Sequence, residues 1–219
     1  MKMHILFDLD GTLADTAPDL AMALNLLRQE YNKPALDFEL IRPVVSIGAI
    51  AMLKLAFSPA EMESSQEQLR NRFLQLYSQN IYNQTRLFPG METVLDNLDS
   101  QNIQWGIVTN KPDWLTRPLL EAMDLSRRSQ CIVSGDTLAQ RKPSPEPLLH
   151  ACKLINCQPE NTIYIGDAIT DIQAGVNAGM KTGLARYGYL EPHAHPDQWG
   201  ADVMFSAPLD ILEWLGSKF

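Results

Sequence analysis

Six short apolar runs, with helical periodicity between most of them, set the strongest limit on what this chain can fold into. They span His4 to Phe7, Gln104 to Thr109, Cys131 to Ser134, Thr162 to Ile165, Lys181 to Ala185 and Asp202 to Phe205. Apolar residues recur at i, i+3 or i+4 in Glu92 to Leu98, Trp114 to Met123, Glu146 to Leu154 and Ile169 to Ala178. Strands alternating with helices build βαβ units, hence an α/β fold with a parallel sheet covered by helices on both faces. In such sheets ligands bind at the carboxyl ends of the strands. The residues just after each run are therefore the ones to examine.

One interval breaks the alternation. Between residues 15 and 84 no convincing strand occurs. Pro18 with Leu20, Leu24 and Leu27 predicts a first helix, and Ile50, Leu53, Leu55 and Ala56 a second. Glu61 to Tyr82 predicts a longer one, with Leu69, Phe73, Leu76 and Tyr77 on one face. A helical block inserted after the first strand would sit over that strand's carboxyl end.

That first strand runs into two carboxylates, in ILFDLDGTLAD, residues 5–15. Asp8 and Asp10 are two apart, so on extended chain they point the same way and repel unless something neutralises them. Turn or helix capping is the bland explanation. A calcium loop counted from Asp8 fails, because its glycine and glutamate positions hold Leu13 and Asp19. Metal-assisted phosphoryl transfer is the remaining explanation, and it demands partners elsewhere.

Three other strand ends supply them. WGIVTNK ends in Thr109, Asn110 and Lys111, where a hydroxyl and backbone N–H groups suit phosphate oxygens. RKPSPEPL places Lys142 before Pro143, on a loop leading into a helix. IYIGDAITD places Asp167 after a strand and Asp171 four residues later, near a helix start around Ala168. Four aspartates in one crevice are strongly disfavoured without a cation, and their oxygens suit Mg²⁺.

Composition narrows the partners. The chain has 219 residues, 45% hydrophobic and 20% charged, which suits one large soluble domain or a domain with an insertion. Its net charge of −8 argues against nucleic acid as the main partner, whereas a local cation suits a small phosphorylated metabolite. Cys131, Cys152 and Cys157 lack CxxC pairing and read as reduced thiols of a cytoplasmic protein. No signal peptide or membrane span is expected. GVNAGMKT lacks P-loop spacing, and His193 with His195 reads as loop rather than metal site.

DLDGT, Thr109, Lys142 before a proline, and GDAITD resemble, in order and spacing, the four motifs of the haloacid dehalogenase superfamily. The resemblance covers essentially the whole chain. FPG at Phe88 to Gly90 looks like its phosphoglycolate phosphatases. Ile41 to Leu53 and Arg186 to Val203 resemble phosphatases of N-acetylmuramic acid 6-phosphate. The resemblance implies a Rossmann-like core at residues 1–14 and 85–219, with an all-α cap at 15–84.

It also implies roles. Asp8 would be the nucleophile and Asp10 the general acid and base, with Thr109 and Lys142 holding phosphoryl oxygens. Mg²⁺ would be held by Asp8, Asp167 and the main-chain carbonyl of Asp10, and Asp171 would support the metal shell or orient Lys142. Thr12, Asn110 and the cap residues Arg42, Ser46 and Lys54 are the substrate-binding candidates. A dehalogenase needs no proton for its leaving halide, so Asp10 favours a phosphatase. A sugar-phosphate mutase and a catalytically inactive binding module remain alternatives, and either a monomer or a homodimer is compatible.

Overall fold

The computed structural model describes residues 3–216. Its main sheet contains β1 (His4–Phe7), β4 (Trp105–Val108), β5 (Ile132–Val133), β6 (Thr162–Gly166), β7 (Lys181–Ala185) and β8 (Val203–Phe205), in spatial order β5-β4-β1-β6-β7-β8. Every pairing is parallel. The six strands are the six apolar runs of the sequence. Ile5 and Phe7 pack into one hydrophobic cluster and Leu6 into a second, as alternation along a strand covered on both faces requires.

The first cluster draws on α5 (Met91–Ser100), α6 (Asp113–Ala122) and α9 (Asp210–Gly216). The second draws on α7 (Glu146–Ile155) and α8 (Ile169–Asn177). The motif-bearing strands are neighbours: β1 lies between β4 and β6, so their carboxyl ends open on one crevice.

Between β1 and β4 the chain makes a helical excursion. It leaves through β2 (Ala14–Asp15), forms α1 (Ala17–Glu30), α2 (Phe38–Ile41), a 3₁₀ turn (Arg42–Val44), α3 (Ala49–Ala56) and α4 (Pro59–Ser78), and returns through β3 (Arg86–Leu87). Ser58 and Glu61 form a capping box that starts α4, with Pro59 as its first residue. α4 ends at Ser78 rather than Tyr82, where Asn80 Nδ2 donates to the Leu76 carbonyl (3.0 Å). α1 and α3 both pack on α4.

β2 and β3 pair antiparallel, Ala14 with Leu87 and Asp15 with Arg86. Each is two residues long with one of them charged, so neither forms an apolar run, which is why the sequence pattern misses them. Buried Asp19 in α1 accepts hydrogen bonds from Gln84 N (2.9 Å), Thr85 N (2.9 Å) and Thr85 Oγ1 (2.7 Å), joining the start of the excursion to its end. No helix among the described residues is long and apolar enough to cross a membrane.

Candidate active site

Asp8 follows the last residue of β1, with its N–H donating to the Ile165 carbonyl of β6 (2.8 Å). Its carboxylate is buried, and Lys142 Nζ lies 2.9 Å from Asp8 Oδ1. Burial pushes Asp8 up to about 6 against the pull of Lys142.

Lys142 is itself buried. Its ammonium also reaches Asp171 Oδ1 (2.7 Å), Tyr164 Oη (2.7 Å) and the Val108 carbonyl (3.1 Å). Burial opposes its charge, but Asp171 and Asp8 outweigh burial and raise it to about 12. The loop that carries it is clamped by Asn110, whose Nδ2 donates to the Lys142 carbonyl (3.1 Å) while Lys142 N donates to Asn110 Oδ1 (3.1 Å). The Asn110 amide, expected to meet substrate, therefore holds the Lys142 backbone instead.

Asp171 binds Lys142, as one of the two roles expected of it requires, and also caps a helix. Oδ2 accepts from Ala168 N (3.0 Å) at the start of α8, which is helix capping, while Oδ1 takes the Lys142 ammonium.

Asp167, at the end of β6, is buried without a cationic side chain bonded to it among the described residues. It accepts from Ser46 Oγ (2.6 Å), Tyr189 N (2.8 Å) and, at the limit of a hydrogen bond, Thr12 Oγ1 (3.5 Å). Burial, then the charges of Asp171 and Asp8, push it up to about 8. Gly11, Gly166 and Gly188 make room for this crowding. A Cβ on Gly11 would lie 2.1 Å from Asp167 Oδ2, and one on Gly166 would lie 2.3 Å from the Asp171 carboxyl carbon.

Asp8, Asp167 and Asp171 can each offer an oxygen within 4.8 Å of the others, and all three are buried. An all-oxygen donor set suits a hard divalent cation. The charge balance agrees: four carboxylates, counting Asp10, face the two ammoniums of Lys142 and Lys111. The residues present thus fit a divalent metal.

Asp10's carboxylate stands outside this trio. Thr16 Oγ1 donates to its Oδ1 (2.6 Å), and Lys111 Nζ reaches both oxygens at 2.9 and 3.2 Å. Thr16 precedes α1 as its N-cap but makes no side-chain cap, because its hydroxyl serves Asp10. Lys111 is a member of the site that the motif pattern does not single out. Burial opposes its charge, but Asp10 and then Tyr77 outweigh burial and hold its ammonium above the usual lysine range.

Thr109 ends up buried just past β4, with its hydroxyl accepting from Lys111 N (3.2 Å).

The excursion delivers two of the three expected residues to this crevice. Ser46 reaches Asp167 directly. Arg42 donates to the carbonyls of Gly188 (3.1 Å) and Tyr187 (3.4 Å), with its guanidinium 4.9 Å from the centre of the Tyr189 ring. Lys54 is exposed on α3 and makes no hydrogen bond or ion pair with the described residues, so it is not brought to the cluster.

Residues 5–185 match the profile of the family described as haloacid dehalogenase-like hydrolase. The chain belongs to that family. A relative from Pseudomonas putida, named N-acetylmuramic acid 6-phosphate phosphatase, is 39% identical over 97% of this chain and 96% of its own. One from Xylella fastidiosa, named phosphoglycolate phosphatase, is 39% identical over 93% of this chain and 89% of its own. Among solved structures, a predicted phosphoglycolate phosphatase from Haemophilus somnus 129pt superposes with a TM-score of 0.86 at 28% identity, covering 98% of both chains.

Proposed function

We propose that this chain is a Mg²⁺-dependent phosphatase that hydrolyses a small phosphate monoester through an aspartyl-phosphate intermediate. The observation that carries this is the separation of the two DxD carboxylates. Asp8 faces Lys142 and the acidic trio, whereas Asp10 faces Lys111 and Thr16. Two aspartates with different partners can take two different tasks.

Asp8, Asp167 and the Asp10 main-chain carbonyl would hold the cation, with Asp171 in support, and it would supply positive charge for the crowded carboxylates and the phosphoryl oxygens. Asp8 attacks phosphorus, forming a carboxylate–phosphorus bond as the ester oxygen leaves. Asp10, protonated when substrate is bound, delivers its proton to that oxygen, then takes one from the water that hydrolyses the intermediate and frees phosphate and the Asp8 carboxylate. Lys142 and the Thr109 hydroxyl bind phosphoryl oxygens, where charge is spread in the transition state. The helices of residues 15–84 act as a cap domain over the core of 1–14 and 85–219, of which residues 1, 2 and 217–219 lie outside the described residues.

The names of the two relatives suggest 2-phosphoglycolate or N-acetylmuramic acid 6-phosphate as substrate, and both carry a carboxylate on the leaving group. Arg42, a half-buried guanidinium bonded to main-chain carbonyls, supports that choice. The relatives are named as phosphatases, which favours hydrolysis over the mutase alternative. Three buried free cysteines suit a reducing compartment such as the cytoplasm.

Steady-state kcat/KM on both esters and on glucose 1-phosphate, with Mg²⁺ and after exhaustive chelation, tests this. Mg²⁺-dependent phosphate release with preference for a carboxylated ester is expected. Hydrolysis undiminished by chelation would overturn it.

A further inference from the structure

Lys111 is 8% exposed, and a buried ammonium is costly unless paired. Its backbone is anchored in the sheet layer: its N–H donates to Thr109 Oγ1 (3.2 Å), and its carbonyl accepts from Gly135 N (2.8 Å) and Thr116 Oγ1 (3.1 Å). Its head group reaches the helical excursion. Nζ bridges both Asp10 oxygens at 2.9 and 3.2 Å and lies 4.5 Å from the centre of the Tyr77 ring. Tyr77 is fully buried near the end of α4, while Thr16, which donates to Asp10 Oδ1, stands at the start of α1. Both ends of the excursion therefore converge on one carboxylate, the second of them through Lys111.

We propose that Lys111 is a positioning residue for Asp10, and that the Tyr77 ring transmits the seating of the helical excursion to that carboxylate. This rests on the phosphatase reading, in which Asp10 handles protons. Lys111 touches neither substrate nor phosphorus in this scheme. By binding both oxygens it fixes the rotation of the carboxyl group, which Thr16 alone holds through a single oxygen. Tyr77 covers the ammonium with an aromatic face, a contact that strengthens where water is excluded.

The test is a double-mutant cycle on the full chain with Mg²⁺, measuring single-turnover cleavage of an alkyl phosphate together with kcat and KM. Lys111→Met should lower the rate about 100-fold, the scale of a misplaced reacting group, with KM within about threefold. Lys111→Arg, which keeps a cation, should recover to within about tenfold of wild type, and Tyr77→Leu should lose about tenfold. In an Asp10→Asn background Lys111→Met should cost less than about threefold more, because a residue acting through Asp10 has nothing left to position.

A full, additive loss in that background, or a loss confined to KM, would overturn the inference while leaving the phosphatase reading intact. A wild-type chain that cleaves no phosphate ester would remove both. If Lys111→Met does not fold, as judged by circular dichroism, Lys111→Arg and Tyr77→Leu crossed with Asp10→Asn decide the matter by the same criterion.

Discussion

Ser46 Oγ lies 2.6 Å from Asp167 Oδ2, so a hydroxyl of the helical excursion donates to a carboxylate at the end of a core strand. The bond favours the ionised form of a group that burial pushes toward neutrality. Ser46→Ala should raise the half-saturating Mg²⁺ concentration about three- to tenfold, the equivalent of a hydrogen bond worth about 1 kcal/mol. Titrating activity against Mg²⁺ checks this, and an unshifted curve would show that Asp167 does not need the donor.

Asp8→Asn should abolish turnover while leaving the fold intact. Asn is nearly isosteric, and Lys142 keeps Asp171, Tyr164 and the Val108 carbonyl as partners. Loss of a nucleophile costs at least about 10³-fold in kcat. Residual activity well above that, in protein free of wild-type enzyme, would assign the attack to another group.

Asp10→Asn should separate the two chemical steps. An alkoxide needs a proton to leave and p-nitrophenolate does not. Formation of the intermediate should therefore slow severely with an alkyl phosphate and little with p-nitrophenyl phosphate. Breakdown should be slow for both, by roughly 10²–10⁴-fold. Rapid quench should show a nitrophenolate burst near one equivalent per site, then slow turnover. Equal slowing without a burst would place Asp10 outside proton transfer.

The acidic cluster should make the metal-free protein less stable as pH rises. Unfolded aspartates release their protons near pH 4, whereas in the folded chain Asp8 holds its proton to about 6 and Asp167 to about 8. Across that window the native state binds more protons than the unfolded state, so stability falls with increasing pH. Calorimetry after chelation should show Tm dropping from about pH 5 to about pH 8. Asp167→Asn should flatten the drop, and Mg²⁺ should raise Tm more at the higher pH. A wild-type slope unchanged by Asp167→Asn would remove Asp167 as its source.

Asp19 supports the architecture rather than the chemistry. Asp19→Ala strands the N–H groups of Gln84 and Thr85 and the Thr85 hydroxyl. The expected cost is about 2–4 kcal/mol, or roughly 4–16 °C in Tm for a chain of this size. Thermal unfolding measures it, and a shift under about 1 °C would mean that water replaces the carboxylate.

The sheet is legible in the sequence because its strands are largely buried and so read as short, mainly apolar runs. Asp8, Asp10 and Asp167 are legible because they sit at or just past the ends of those runs, Lys142 because a proline follows it, and Asp171 because it falls four residues after Asp167. What escapes depends on distant pairing. Asn110 meets the Lys142 backbone across 32 residues. The burial of Lys111 depends on Asp10 and Tyr77, which come from separate parts of the chain. A lysine beside a strand end is ordinarily solvated, so nothing local marks it. α2 and α9 are too short for periodicity to register.

The narrow ribbon of β2 and β3 has a consequence for how such a chain can diversify. Ala14 and Asp15 lie against Leu87 and Arg86, so the excursion departs and returns at adjacent points. Lengthening a loop whose ends are already held together adds little closure entropy, because that cost grows only with the logarithm of loop length. A segment of different length or architecture can be grafted between Asp15 and Arg86 without rerouting any strand of the main sheet. What binds such a graft to the rest of the chain is then not the sheet but the contacts that Thr16, Ser46 and Tyr77 make with Asp10, Asp167 and Lys111.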